Sequence, residues 1–209
     1  MAEYKTVRKN AQDQFVEKRS RFIGYACPVQ TEQEALDFIT SKKSEHWDAS
    51  HNVYAYILRD GTMRFSDDGE PQGTAGMPVL DVLRKSGVTD VVTVATRYFG
   101  GILLGAGGLV RAYAKSAAMA VEASGISVRR IWQAVDIPCP YNLFERVRQE
   151  IDRCGGMIAD TEYGAEVLLR AVIPQAHTEP FLKRLTDLSS GHLQPLLGGQ
   201  EYRAVPIQK

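Results

Sequence analysis

The fold is decided by residues 91–124, VVTVATRYFGGILLGAGGLVRAYAKSAAMAVEAS, in which a strand pattern, a loop pattern and a helix pattern follow one another directly. Residues 91–99 are rich in valine and threonine and predict a strand. Residues 109–124 are rich in alanine, free of glycine and proline, and followed by Gly125, so they predict a helix. Between the two lies a segment with five glycines. This stretch therefore predicts a strand, a glycine loop and a helix in direct succession.

The glycine loop is the strongest candidate for a binding site. A glycine-rich turn leading into a helix presents backbone N–H groups and the positive end of the helix dipole, and both favour an anion. The loop matches neither a Walker phosphate loop nor a dinucleotide fingerprint. The residues expected to bind an anion or RNA are Arg97, Tyr98, Gly100, Gly101, Gly105, Gly107, Gly108, Arg111 and Lys115. The alternative, that the glycines only permit positive φ and close packing, stays open.

Two arginines flank this loop. Arg97 ends the predicted strand, and Arg111 lies one turn into the helix with Lys115 on the same helical face. If the loop folds back between the two arginines, both guanidiniums can reach one anion. Replacing both should then weaken RNA or ribosome association, at little cost in stability if both side chains face solvent as a binding surface requires. The alternative, that both arginines are structural partners of the acidic loop, stays open.

An acidic loop, FSDDGEPQGTAGMP at residues 65–78, forms a possible accessory site. Carboxylates this close together can bind a hard cation or carry out acid–base chemistry, although their spacing is not that of a calcium loop. Aspartates beside glycine and proline also cap turns and helices, and capping is what we expect here. The accessory residues are Ser66, Asp67, Asp68 and Glu70, with His51 expected beside them.

The sequence predicts no metal, cofactor or catalytic residue. His46 and His51 stand five residues apart, unlike the histidine pair of a zinc helix. No Gly-x-Ser-x-Gly elbow is present, and no cysteine stands in a recognisable catalytic pattern. An enzyme is therefore the less favoured reading.

The remaining chain predicts two domains, 1–134 and 135–209. The first adds a hairpin around Glu17 to Ser20, a helix capped by Thr31 and Glu34, a strand at 53–58 and a short helix at 78–85. From about Trp132 the pattern restarts as β-α-β-β-α-β, with the first of its helices expected to be capped by Asn142. That order is typical of a ferredoxin-like domain, so the overall class is α+β.

Composition restricts the possible partners. The chain has 209 residues, with 25 Lys and Arg against 25 Asp and Glu, which excludes a polycation that coats nucleic acid but allows a local basic patch. No stretch has the length and apolarity of a membrane helix, and the first residues do not resemble a signal peptide. Three separate cysteines are typical of reduced thiols. We therefore expect a cytoplasmic protein without a membrane partner.

The acidic loop at 65–78 and the stretch VATRYFGGILLGAGGLVRAY at 94–113 together resemble the paired signature of the IMPACT family, specifically its bacterial YigZ-like members. The segments KRSRFIGYACPV and ASHNVYAYI are similar to that family too. The resemblance implies an N-terminal domain like a small-subunit ribosomal protein and domain IV of elongation factor G, and a ferredoxin-like C-terminal domain like domain V of that factor.

Family resemblance also implies a link to translation. Eukaryotic relatives act in translational control by competing for the activator of an amino-acid-starvation kinase, but they carry an RWD domain that is not visible here, so that mechanism is not carried over. We expect a non-enzymatic regulatory or binding protein that contacts RNA, the ribosome or a translation factor, and not a reader of DNA sequence. The alternative is an enzyme or small-ligand binder for a phosphorylated or carboxylated compound, using the glycine loop for the anion and the acidic loop for a metal or a proton.

Overall fold

The computed structural model describes residues 3–206, with side chains up to Arg203. This part of the chain divides into two compact units, an N-terminal unit of Tyr4–Val128 and a C-terminal unit of Arg129–Val205. The outer limits of the two expected domains, residues 1–2 and 207–209, lie outside the described residues. Both units combine helices with an antiparallel sheet, which confirms the α+β class.

The N-terminal unit is a five-stranded sheet with helices on both faces. Its elements are β1 Tyr4–Val7, β2 Ala11–Glu17, β3 Ser20–Pro28, α1 Glu32–Glu45, β4 His51–Ile57, β5 Met63–Ser66, α2 Gly76–Ser86, β6 Val91–Tyr98 and α3 Ala106–Ser124. The next strand, β7 Ile126–Cys139, begins in this unit, continues into the C-terminal unit and pairs with β1. The strand order of the sheet is β2-β3-β6-β4-β5, and all four neighbouring pairs run antiparallel.

Side-chain alternation along the strands builds a separate core on each face of this sheet. On β3, Phe22 and Ala26 pack in the core beneath α2 and α3, whereas Ile23 and Tyr25 pack in the core beneath α1. Successive residues of a strand point to opposite faces, so one apolar strand can serve both cores. The same alternation applies to the neighbouring strand β6, so the position of each β6 residue in the strand decides whether its side chain lies under α3 or under α1.

The long helix α3 lies directly against the sheet. A Cβ atom at Gly24 of β3 would lie only 2.8 Å from the Ser116 hydroxyl and would overlap the Ser116 carbonyl oxygen. Glycine at this position therefore allows the helix backbone to approach the strand. Close approach brings the α3 residue Tyr113, which is fully buried, into the interior, where it packs edge-on against Phe22.

The elements of the C-terminal unit after β7 are α4 Phe144–Arg153, β8 Met157–Tyr163, β9 Val167–Pro174, α5 Gln175–Ser189 and β10 Leu196–Pro206. Two helices pack against a sheet of order β10-β7-β9-β8, in which β9 runs antiparallel to both β7 and β8. The register pairs Trp132 with Pro174 and Cys139 with Val167. Alternate residues of β7 and β9 form one core with the two helices.

Local signals located most elements, with two corrections. The first strand of the restarted pattern, expected at residues 135–139, is part of a longer strand that already begins at Ile126, directly after the glycine that ends α3, where the β-branched residues Ile126 and Val128 favour an extended chain. The capping role expected for Asn142 is wrong: the residue before α4 is Leu143, and no side chain caps this helix. Within residues 3–206, no helix has the length and apolarity needed to cross a membrane.

Candidate nucleic-acid interface

The irregular part of the glycine loop runs from Gly100 to Gly105, between β6 and α3, and it is hydrogen-bonded to the β2–β3 hairpin. The Gly100 N–H donates a hydrogen bond of 3.2 Å to the Ser20 hydroxyl, and a Cβ atom at Gly100 would overlap the backbone of Arg19. Gly101 and Gly105 have φ values of 83° and 73°, which residues with side chains rarely adopt. Three of the five glycines therefore have a conformational role, as the alternative interpretation requires.

The other two glycines, Gly107 and Gly108, lie in the first turn of α3 and have ordinary helical φ. The guanidinium of Arg111 folds back along the helix, so that its Nη1 lies 3.5 Å from the place a Cβ atom would take at Gly107. Arg111 is exposed at this end of the helix. The glycine thus leaves space for a guanidinium beside the helix N-terminus, where an anion is electrostatically favoured.

A cleft of about 250 Å³ opens between the hairpin and α3, and we call it the hairpin–helix cleft. Phe15, Glu17 and Lys18 form its hairpin wall, and Arg111 and Lys115 form its helix wall. Among the described residues, neither the Lys18 side chain nor the Arg111 side chain has an ion pair or a hydrogen bond, and the Lys115 ammonium contacts the Phe15 ring at 4.3 Å. Three cations therefore converge on one cleft whose wall contains a single carboxylate.

Arg97 does not join this cleft, and its expected solvent-facing position is wrong. Its Nη1 donates a hydrogen bond of 2.6 Å to Oε1 of Glu70, and the two side chains are only 6% and 4% exposed. The Tyr113 hydroxyl donates a second hydrogen bond of 2.7 Å to the same oxygen. Alternation places Arg97 on the α3 face of β6, together with Ala95, so its guanidinium enters the core and pairs with the acidic loop.

The expected capping is found at Asp67. Its Oδ1 accepts hydrogen bonds from the N–H groups of Ala75 and Gly76, and its Oδ2 accepts one from Gly73. These donors include the first residue of α2, so the carboxylate satisfies otherwise unpaired N–H groups at a helix start. The Asp67 carboxylate therefore has a structural role, because it holds the backbone of the acidic loop in place.

Asp68 fastens the acidic loop to the neighbouring strand. Its carboxylate accepts hydrogen bonds of 2.6 Å from the Asn52 N–H and from the Lys43 ammonium, and the Ser66 hydroxyl accepts one from its N–H. His51 Nδ1 donates to the Asp68 carbonyl oxygen, which leaves Nε2 3.7 Å from Glu70. The five expected accessory residues thus lie together, but protein groups already engage all three carboxylates.

The two segment patterns and the whole-chain comparisons agree on the family. A model of the Impact N-terminal domain matches residues 18–121, and a domain of unknown function, DUF1949, matches residues 137–192. The IMPACT family member YvyE of Bacillus subtilis is 37% identical over 190 residues, covering 90% of this chain and 88% of that protein. The chain belongs to the IMPACT family.

Other IMPACT proteins match over the whole chain or over part of it. The family member YigZ of Escherichia coli is 37% identical, covering 86% of this chain and 90% of that protein. The IMPACT homolog of Dictyostelium discoideum is 38% identical over 96 residues, which is 43% of this chain and 27% of that protein. A crystal structure of a hypothetical protein shares 34% identity and a TM-score of 0.62, covering 94% of this chain and 97% of that one.

In this IMPACT family chain Tyr98 lies on the opposite face of the sheet from Arg97. Its hydroxyl donates to Asp48 and lies 2.8 Å from Nδ1 of His46, while His46 Nε2 lies 2.5 Å from the Tyr25 hydroxyl. Since the Tyr98 proton is used on Asp48, Nδ1 donates to Tyr98 and Nε2 accepts from Tyr25. Burial raises the pKa of Tyr25 to about 12 and lowers the pKa of His46. Because Tyr98 and Arg97 lie on opposite faces of the sheet, the expectation that both belong to one anion-binding surface is wrong.

The structure adds residues to the IMPACT site that the sequence did not single out for it. Lys18, Glu17 and Phe15 line the cleft opposite Arg111, whereas the sequence pattern placed Glu17 and Lys18 only in a predicted hairpin. In residues 3–206 no three His, Cys, Asp or Glu side chains are grouped as a metal site requires. Burial raises the pKa of all three cysteine thiols, which favours the thiol over the nucleophilic thiolate.

Proposed function

We propose that this IMPACT protein is a translation-linked binding protein that contacts RNA, either free or in the ribosome, through the hairpin–helix cleft and the adjoining glycine loop. The observation that carries the proposal is the convergence of Lys18, Arg111 and Lys115 without ion-pair partners in the described chain. Unpaired cations on a surface of balanced net charge form a local basic patch, which is what a phosphate backbone requires.

Burial of Arg97 strengthens this proposal by separating the binding groups from the structural ones. Because Arg97 neutralises Glu70 inside the unit, that carboxylate does not repel an anion at the surface. Asp67 and Asp68 are likewise held by backbone N–H groups, with Lys43 paired to Asp68. The enzymatic alternative needs at least one of these carboxylates free for a metal or a proton, so the binding role is favoured.

The expected resemblance of each unit to a domain of elongation factor G supports the proposed link to translation. In the C-terminal unit the order β-α-β-β-α-β, with β7 and β9 paired in the middle of the sheet, supports a ferredoxin-like domain. An N-terminal domain like domain IV of elongation factor G remains our proposal for Tyr4–Val128, where helices cover both faces of the sheet. A cytoplasmic location follows from a ribosome-linked role.

The decisive experiment measures RNA affinity across a salt series for wild type and for Arg111→Ala/Lys115→Ala. Loss of two phosphate contacts should weaken binding at least about tenfold and should reduce the slope of log K against log salt by about 1.4 for a single strand. The matched control is Arg84→Ala/Lys85→Ala, which removes the same charge from the far end of α2. If the two double variants weaken binding equally, or neither does, the cleft is not the binding surface.

A further inference from the structure

The hairpin–helix cleft offers charge and apolar surface but no free aromatic face. One side of the Phe15 ring stacks on Phe22 with centroids 5.2 Å apart and an interplanar angle of 7°. The Lys115 ammonium also contacts this ring, 4.3 Å from its centroid, so the Phe15 ring is already engaged by both a second ring and a cation. A nucleobase therefore finds no ring to stack on inside the cleft, and recognition there depends on the phosphate and not on the base.

The charges in the cleft favour a dianion. Lys18, Arg111 and Lys115 face one carboxylate, Glu17, so the cleft has a formal excess of two positive charges. A terminal phosphate monoester carries close to two negative charges at neutral pH and three strong acceptor oxygens, whereas a phosphate inside an RNA chain carries one charge. Three cations can therefore each meet a different terminal oxygen of the monoester, whereas an internal phosphate has only two such oxygens and one charge.

The walls of the cleft also favour a chain end. Phe15, Glu17 and Lys18 of the hairpin line one side and the first turns of α3 line the other, and Leu104 of the glycine loop also contributes to the concave lining. A phosphate inside a polynucleotide must have chain leaving it on both sides. A terminal phosphate has chain on one side only, so it can enter a concave site more deeply.

We propose that the hairpin–helix cleft binds the terminal phosphate of an RNA strand, an inference that rests on the RNA-binding function proposed above. Arg111 supplies a guanidinium that is already folded along the helix beside Gly107, and Lys115 is held by the Phe15 ring. Lys18 approaches from the hairpin turn and completes the site. Both helix cations are thus partly positioned before an anion binds, which lowers the entropic cost of ordering them.

The test compares three RNA oligonucleotides of one sequence, carrying a 5′-phosphate, a 3′-phosphate or hydroxyls at both ends, as competitors of a single internally labelled RNA. One phosphorylated strand should bind wild type at least about tenfold more tightly than the hydroxyl strand, the factor that one charge-assisted hydrogen bond supplies. Arg111→Ala and Lys18→Ala should each abolish this preference, and Glu17→Gln should increase it. Arg84→Ala, on the exposed end of α2, is the control and should keep it.

The outcomes separate this inference from the function on which it rests. If all three strands bind wild type equally while Arg111→Ala weakens all of them, RNA binding stands and the terminal-phosphate inference is overturned. If no strand binds, the proposed function itself is overturned. Inorganic phosphate that competes as well as the phosphorylated strand would show that a free small phosphate is the ligand, and would also overturn RNA as its source. Thermal melting of each variant confirms that the fold is retained.

Discussion

Arg97→Met provides the sharpest test of the division between structural and binding arginines. Methionine keeps much of the length of the side chain but removes the charge from a contact whose two partners are 6% and 4% exposed. Glu70 then keeps the Tyr113 hydroxyl as a hydrogen-bond donor, with His51 Nε2 at 3.7 Å. Breaking one side of a buried ion pair costs about 3–5 kcal/mol, and the surviving hydrogen bond places the expected loss at about 3 kcal/mol.

The partner variant Glu70→Leu and the double variant complete a thermodynamic cycle. Replacing both charges by apolar side chains leaves no uncompensated buried charge, so the double variant should be more stable than the sum of the single losses implies, by at least about 1.5 kcal/mol. Urea unfolding followed by circular dichroism measures all four proteins, with equal m-values required for the comparison. Arg111→Ala is the exposed control and should stay within about 0.5 kcal/mol of wild type.

A loss below about 1 kcal/mol for Arg97→Met, or strictly additive losses in the cycle, would refute the reasoning. Either result would mean that the Arg97–Glu70 contact contributes little inside the folded unit. Reduced RNA affinity in an Arg97→Met protein of unchanged stability would show in addition that Arg97 takes part in binding. The expected pattern is the opposite, with stability lost at Arg97 and affinity lost at Arg111.

Three further predictions follow from the fold. A fragment beginning at Arg130 should unfold cooperatively, because β7 pairs with β9 from Trp132 onward; a broad, non-cooperative urea transition would contradict an independent C-terminal domain. Because burial lowers the pKa of His46 below its usual 6.5, the folded state binds fewer protons than the unfolded state near that pH, so the stability present above pH 6.5 should decline as the pH falls below it. A His46→Gln protein should show a flatter profile, and an unchanged slope would assign the effect elsewhere. Gly100→Ala should lose about 1–3 kcal/mol through overlap with the hairpin backbone, whereas Gly199→Ala, which has open space, should lose less in the same urea assay.

Local chemistry in the sequence was sufficient to place most elements. The strand, loop and helix at 91–124 follow from residue type and spacing alone, because propensity and glycine placement act over a few neighbouring residues. The β2–β3 hairpin was also predicted from the sequence. Its turn consists of Lys18 and Arg19, which have φ values of 45° and 67°. Thr31 likewise caps α1 by accepting a hydrogen bond from the Glu34 N–H. The resemblance to the family could also be recognised from two stretches of sequence, the acidic loop at 65–78 and the glycine-rich stretch at 94–113.

Alternation along β6 could have corrected the position of Arg97. Arg97 is in phase with Ala95 and Val91, both buried under α2 and α3, whereas Tyr98 is in phase with Val94 under α1. Neighbouring strand residues cannot share one surface unless the strand is irregular. What the sequence could not provide was the partner that allows a guanidinium to be buried there.

That partner depended on tertiary structure. Glu70 meets Arg97 because β4 pairs with β6 and brings His51 opposite Arg97, so that the acidic loop next to His51 closes over the same end of the sheet. The β2–β3 hairpin and α3 meet in the same way, and only their packing places Lys18 beside Arg111. Charge pairing and cleft shape are set by strand register and by packing between residues far apart in the chain, and local spacing carries no information about either.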